Sequence, residues 1–343
     1  MKIVAKVSND DPFVIAVMSK DCCNDTTGSI TSRLFAGVGI DFTNRRRNKL
    51  AGIIKIAQLY PNITTGPDQH HHPTLTMILQ TNENMGNCPK YITIRRLVRE
   101  DKQSIHAITM KKLTTEALDV LRACSTAFLV TRHLNTTDSV TRDLGFNHRG
   151  GFPGFIRYYE DHGGAHLVLP DYSGNQFYQT VGNIELDPVA GMVVLDFSAS
   201  HSLHITGSAR NVFNEEAEKI IPRVTFITII TIDEAVLIKR SIQFKLLGNE
   251  QYSPYNPPLR FLACETARAF QMNDTTATAT LVSIYRNSKS ISSFTFRLSA
   301  SIQLPVGGYI ILDFSSLLPR HYQHMNNQQP QSINDDKIRT WTP

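Results

Sequence analysis

The chain has 343 residues, of which 41% are hydrophobic and 19% charged, with a formal net charge of +5. That length points to two or three domains rather than one small module, and the composition excludes a disordered chain. No apolar run reaches the length of a spanning helix, and no basic cluster is interleaved with aromatics as a base-stacking surface requires. The expectation is therefore a protein without membrane or nucleic-acid partners.

The opening stretch MKIVAKVSND has no apolar h-region, so no secretory signal is expected. Cys22, Cys23, Cys88, Cys124 and Cys264 contain no C-x-x-C pair and read as reduced thiols of a cytoplasmic protein. Short Val/Ile/Thr/Phe-rich runs between Gly, Asn, Asp and Pro clusters predict a mainly β fold. In chain order the expected strands are Phe13–Met18, Phe35–Phe42, Leu50–Ile56, Leu75–Leu79, Ala127–Thr131, Gly154–Tyr159, Ala165–Leu169, Met192–Phe197, Leu203–Thr206, Val224–Ile232 and Ile242–Leu247. Helices are expected at Thr115–Cys124, opened by a T-T-E cap, at Gln176–Glu185 and at Arg260–Gln271. After a Pro/Asn/Tyr-rich linker at Asn249–Pro258, strands follow at Ala277–Ile284, Ser293–Ala300 and Tyr309–Phe314. The polar stretch His321–Asp336 closes the series.

Residues 38–52 (VGIDFTNRRRNKLAG) and 193–207 (VVLDFSASHSLHITG) share one pattern, with the same spacing from Asp41 to Gly52 as from Asp196 to Gly207. Each copy reads as a β-hairpin. The pattern fits one domain present twice, around residues 1–110 and 113–246, or two unrelated hairpins of common design.

The densest chemistry lies between Asn147 and Asn183. Gly150, Gly151 and Gly154 beside His148 and Arg149 can admit backbone amides close to an anion. Ser173, Gly174 and Asn175 precede an expected helix, whose N-terminus suits phosphate, and Arg149 and Arg132 can supply bidentate charge to it. The same residues also fit two ordinary turns and a helix cap.

The strings GFNHRGGFPGF, PDYSGNQFYQTVGNIELDP, AGMVVLDF and LHITGSAR, over roughly residues 115–215, resemble the pyridoxamine 5'-phosphate oxidase-like family. The resemblance implies tandem FMN-binding split β-barrels with a flavin cleft between two barrels. It places His148–Phe155 along the flavin edge, and Asp171, Ser173, Gly174, Asn175 and Asn183 near its phosphate and ribityl chain. GIDFTNRRRNKLAG and NCPKYITIRR resemble the end of a preceding barrel, a truncated first copy that would pair with the second as an intrachain pseudo-dimer; a homodimer is the alternative. TATLVSIYRNSKSISSFTFRL, LPVGGYIILDF and NDDKIRTWTP resemble the first strands of a ferredoxin-reductase-type FAD domain, with Arg339, Trp341 and Thr342 at its flavin motif. There Trp341 stands where that motif has Tyr.

The expected organisation is a partial first barrel at 1–112, a split barrel at 113–248, a linker and helix at 249–273, and a partial FAD-type domain at 274–343. The expected function is an FMN-binding oxidoreductase, a fragment of a larger FMN/FAD electron-transfer protein, acting with a small-molecule electron donor or acceptor. The alternative is a flavin-binding module without turnover of its own. His70–His72 and Cys22–Cys23 read as plain solvated residues, Arg45–Arg47 as a solvated hairpin tip, and Ser173 lacks the elbow of a hydrolytic nucleophile.

Overall fold

The computed structural model describes residues 2–6, 33–60, 74–100, 106–134, 142–265, 277–304, 308, 310–317 and 322–341. It is mainly β, with every strand pair antiparallel. Two compact units form: Met1–Arg260 with His324–Asn334, and Phe261–Gln323 with Asp335–Pro343. The expected strand Phe13–Met18, His70–His72 and Cys22–Cys23 lie outside the described residues.

In the first unit, β1 (Lys2–Lys6), β2 (Arg33–Asp41), β3 (Arg46–Tyr60) and β4 (Thr74–Asn87) make a four-stranded sheet in the order β1-β4-β3-β2. After β5 (Ile94–Arg99) and β6 (His106–Met110), helix α1 (Thr115–Ala123) starts at an N-cap, Thr114, whose hydroxyl accepts from Ala117 N. Then come β7 (Thr126–His133), β8 (Asp143–Gly150), β9 (Arg157–Asp161), β10 (Gly164–Pro170), α2 (Gln179–Leu186), β11 (Val189–Asp196), β12 (His201–Phe213), α3 (Asn214–Ile220), β13 (Phe226–Lys239) and β14 (Phe244–Gln251). The eight-stranded sheet runs β8-β7-β11-β12-β13-β10-β9, with β6 on the far half of the long strand β13. Strand β11 alternates buried and half-buried positions, as a sheet with one face on the core must. That core gathers Leu129, Leu167, Met192, Leu203, Ile230 and Leu237 from the strands and Ala117, Val120 and Leu121 from α1. A smaller cluster, Ile54, Leu75, Met77 and Leu79, sits under the first sheet.

The two hairpins that share the sequence pattern also share their local geometry. In one hairpin Asp41 pairs with Arg46, in the other Asp196 with His201. Asp41 Oδ1 accepts from the backbone and hydroxyl of Thr43, and Asp196 Oδ1 from those of Ser198. Arg45 and Ser200 take the same left-handed turn position, at φ 63° and 60°. The pairing then slips by a residue at Gly52 and again at Gly207. A Cβ on Gly52 would stand 2.0 Å from the Gln80 carbonyl oxygen, and one on Gly207 1.9 Å from that of Thr231. Both positions therefore require glycine.

The second unit has the hairpin β15 (Ala279–Arg286) and β16 (Ser292–Leu298), and the pair β17 (Ile310–Asp313) and β18 (Ile338–Trp341). Residues 263–265 are helical; the rest of the helix expected at Arg260–Gln271 lies outside the described residues.

Three sequence expectations of local structure need correction here, the first being the strand expected at Gly154–Tyr159, which starts only at Arg157 as β9. The stretch Asn147–Gly150, read as part of a glycine-rich turn, is the end of strand β8. Polar residues hide it from a hydrophobic-pattern reading, and its pairing with β7 makes it a strand. Helix α2 begins at Gln179 behind Tyr178, with no side-chain cap. Ser173, Gly174 and Asn175 are therefore upstream of the helix and not at its N-terminus; Asn175 Oδ1 accepts instead from Phe177 N.

Candidate functional site

One cleft of the first unit joins the two stretches singled out in the sequence. Its walls come from β3 and the segment after β4 on one side, and from β8, residues 169–178 and the start of α2 on the other. About 960 Å³ of atom-free space, open to solvent, lies between them. The walls meet at Gly150, where a Cβ would stand 2.0 Å from the Tyr91 carbonyl oxygen. The Tyr91 hydroxyl donates to Ser173 O at 2.7 Å. Asn334 closes the other side: its Oδ1 accepts from Ser173 N at 3.1 Å and its Nδ2 donates to the Tyr91 hydroxyl at 2.9 Å. The polar stretch near the C-terminus thus braces the cleft wall.

Three cations face this space: Arg47 and Lys49 from β3, and Arg149 from β8. Burial lowers the pKa of each. Arg149 pushes in the same direction on both Arg47 and Lys49, so the three repel one another across the cleft. Lys49 is brought down to about 8. Its Nζ donates to Asn147 Oδ1 at 2.7 Å and to Gln179 Oε1 at 2.6 Å. Asp171 is the carboxylate opposite Arg149. Burial among the surrounding walls raises its pKa and Arg149 opposes the rise, while the residue keeps an exposed surface.

Several buried polar atoms here lack a protein partner: Arg47 Nε, Asn87 Oδ1 and both ring nitrogens of His148. His148 is 5% exposed and packs edge-on against Phe128 at 5.8 Å. Burial, then Arg47, Arg95 and Arg149, hold it well below the usual imidazole range, so it is neutral. A buried polar group without a partner is costly. Four such atoms beside three mutually repelling cations make a site suited to an anionic ligand with hydrogen-bonding edges.

Of the residues expected from sequence, His148, Arg149, Gly150, Phe155, Asp171, Gly174 and Asn175 line the cleft. Ser173 does not; its backbone serves Tyr91 and Asn334. Gly151 and Gly154 lie in the following turn, Gly154 at φ +85°. Asn183 is buried behind the wall, donating to Asp143 Oδ2 at 2.9 Å and to Thr131 Oγ1 at 3.3 Å. Arg132 is spent on Asp187 at 3.0 Å, away from the cleft. Sequence reasoning set Arg47 aside as part of a hairpin tip that could also grip a phosphate, and missed Lys49, Tyr91, Phe177 and Tyr178. Arg45–Arg47 is not a solvated tip. Arg45 donates to the carbonyls of Ile92 and Tyr252, only Arg46 is exposed, and Arg47 enters the cleft. The two-residue period of a strand puts residues 47 and 49 on one face, and that was the available signal.

A second space adjoins the first, about 1010 Å³ of atom-free volume that includes open solvent; it shares Lys49 and Phe177 with the first and is lined further by Glu83, Met85, Asp143 and Gln179. In the second unit, Arg339 forks onto Asp335 at 3.0 and 2.8 Å, and its hydrogen bonds hold the Asp335 carboxyl well below the usual range. Trp341 is edge-on to Phe314 at 6.1 Å, and Thr342 lies outside the described residues. Among the described residues, Cys88, Cys124 and Cys264 are free, no His/Cys/Asp/Glu group could hold a metal, and no helix is long and apolar enough to cross a membrane.

No family model matches the chain, and neither does any curated protein. Solved structures overlap with it remotely. HupZ of Group A Streptococcus is 15% identical over 40% of this chain and 99% of its own, with a TM-score of 0.28. A single-substitution form of the same protein covers 36% of this chain and 98% of its own at the same identity and TM-score. The FAD binding protein from Mycobacterium smegmatis is 13% identical over 40% of this chain and all of its own, with a TM-score of 0.24. Overlaps this slight carry no argument about function, which rests on the cleft itself.

Proposed function

We propose that the cleft of the first unit binds a flavin mononucleotide and that the chain is a flavin-dependent oxidoreductase of the split-barrel, pyridoxamine 5'-phosphate oxidase-like type. The carrying observation is the convergence of Arg47, Lys49 and Arg149 on one space beside partnerless Arg47 Nε, Asn87 Oδ1 and His148. A phosphate relieves the repulsion among the cations, and the edges of a heterocycle give the orphaned atoms their partners. Arg47 and Arg149 would hold the phosphate. Neutral His148 can donate from one ring nitrogen and accept at the other, and Phe155 and Phe177 offer apolar surface to a ring. When bound, the isoalloxazine ring supplies the electron transfer with a small-molecule donor or acceptor, and the protein supplies binding and orientation.

In this reading the two hairpins belong to two barrel copies, at 1–112 and 113–248, that pair within one chain as a pseudo-dimer, in a cytoplasmic protein. A linker and helix follow at 249–273. The segment 274–343 would belong to a ferredoxin-reductase-type FAD domain. For Arg339 to meet a pyrophosphate there, its fork must leave Asp335. The test is direct: purified protein is titrated with FMN and with FAD, and flavin absorbance and fluorescence are followed. Submicromolar FMN binding supports the reading; absence of binding to either flavin sinks it. A flavin that binds yet neither accepts electrons nor reoxidises supports a carrier without turnover.

A further inference from the structure

Lys49 lines both cavities, and its amine bonds Asn147, which lines the first, and Gln179, which lines the second. Its two side-chain partners, Asn147 Oδ1 and Gln179 Oε1, are both acceptors. In its neutral form, with two N–H donors and one lone pair, the amine would give both donors to these bonds and keep the lone pair free. The phenyl ring of Phe177 stands 6.0 Å from Nζ. Arg47 lies two residues away on the same face of β3, and Arg149 across the cleft on β8.

We propose that Lys49 is a covalent capture site for phosphorylated aldehydes, held as an imine to its Nζ while Arg47 and Arg149 bind the phosphate. The proposal rests on the anion-binding reading of the cleft. The Nζ lone pair attacks the carbonyl carbon, and the C=O π pair takes a proton to give a carbinolamine. Loss of one water then leaves the C=N bond. No oxidant or reductant is consumed, and hydrolysis reverses the step. Reactivity needs the amine free of its proton. Burial favours that state, as do the cations Arg149 and Arg47; Asp143 on β8 and Glu83 on β4 oppose it. The balance leaves Lys49 near 8, where an exposed lysine stays charged.

The test uses the full chain, incubated with glycolaldehyde phosphate or with glycolaldehyde, reduced with cyanoborohydride and mapped by peptide mass spectrometry. The expected label sits on Lys49, reaches half-saturation at least about tenfold lower for the phosphorylated aldehyde, rises from about pH 7 to about pH 9, and is displaced by inorganic phosphate. Lys49→Arg, which keeps the charge, loses the label. Arg149→Ala keeps Lys49 labelling but loses the preference for the phosphorylated aldehyde. Label spread over exposed lysines such as Lys55 and Lys112, or equal for both aldehydes, overturns the proposal. FMN titration of the same preparation separates the two readings. FMN binding without Lys49 labelling sinks the imine alone, and phosphate-selective labelling without FMN binding supports it while sinking the flavin.

Discussion

Phe42 and Phe197, the residues that follow the two hairpin aspartates, meet edge to face with ring centroids 5.4 Å apart and planes at 71°. Equivalent positions of the two repeats thus touch each other. The Arg95 guanidinium sits 4.6 Å from the Phe197 ring and 5.3 Å from the Phe42 ring. Arg95 is 2% exposed, pairs with Glu250, and donates to Ser125 Oγ and to Thr126 Oγ1. One buried cation therefore joins both hairpins, the strand β7 and the strand β14. Arg95→Ala is expected to cost about 3–5 kcal/mol, because it leaves Glu250 uncompensated in a mostly buried position. Replacing both partners, Arg95→Met with Glu250→Leu, is expected to recover a good part of that loss. Chemical denaturation midpoints decide the matter; a loss no larger than that of a surface substitution would show that the pair does not join the repeats.

Gly52 and Gly207 offer a matched test of the repeat. Each added methyl would enter a carbonyl oxygen of the neighbouring strand, at 2.0 Å for Gly52 and 1.9 Å for Gly207. Backbone must then shift at a bulge, at a cost of about 1–3 kcal/mol or more. Gly52→Ala and Gly207→Ala are expected to lower the melting temperature by similar amounts, while Gly39→Ala, with open space around its Cβ position, does not. A Gly52→Ala protein as stable as the parent would mean that the first hairpin relaxes where the second does not.

The hairpins were legible because their signal is local: an Asp that caps its own turn, alternating apolar residues, and a glycine where strands crowd. Helix α1 was legible from its Thr-led start. Strand β8 was not, because Asp143, Asn147, His148 and Arg149 carry no alternating apolar pattern and only pairing with β7 defines them as a strand. Half of the cleft, from Asn147 to Asn175, could be read from its density of Gly, Arg, His and Asn. The other half is contributed by Arg47, Lys49 and Tyr91, far away in sequence, and only tertiary packing shows that they share its space. Arg132 and Asn183 fit the motif by type, yet Asp187 and Asp143 had already claimed them.

The neutral histidines set a pH dependence. Burial lowers the pKa of both His148 and His204 in the folded chain. On unfolding each returns to about 6.5. The unfolded chain then binds protons that the folded chain refuses. Stability from this source is therefore complete above about pH 6.5 and declines as pH falls below it. The denaturant midpoint should drop between about pH 7.5 and about pH 5.5, and the drop should shrink in His148→Gln and further in His148→Gln with His204→Gln. The depressed carboxylates Asp41 and Glu116 act at more acidic pH, where they lose their partners. Asp171, whose pKa burial raises, works in the opposite sense, and it is present alike in the parent and in His148→Gln. A drop of the same size in His148→Gln as in the parent would contradict a buried neutral His148.

The cleft makes its own prediction through what is and is not inside it. Arg47→Ala and Arg149→Ala each remove a charge-assisted bond to a phosphate, worth about 1.5–3 kcal/mol, so FMN affinity should fall about ten- to a hundredfold in each. Arg132→Ala should leave affinity unchanged, because Arg132 pairs with Asp187 outside the cleft. Ser173→Ala should do little, since only its backbone is engaged in the cleft wall. Asn334→Ala, by contrast, removes the brace on Ser173 and Tyr91 and should weaken binding without touching the ligand. Raising the salt concentration should weaken parental binding and have a smaller effect on Arg149→Ala, which has one charge fewer to screen. Isothermal titration of the five variants gives the ranking. An Arg132→Ala protein that loses affinity while Arg47→Ala keeps it would move the phosphate away from β3 and take the proposed site with it.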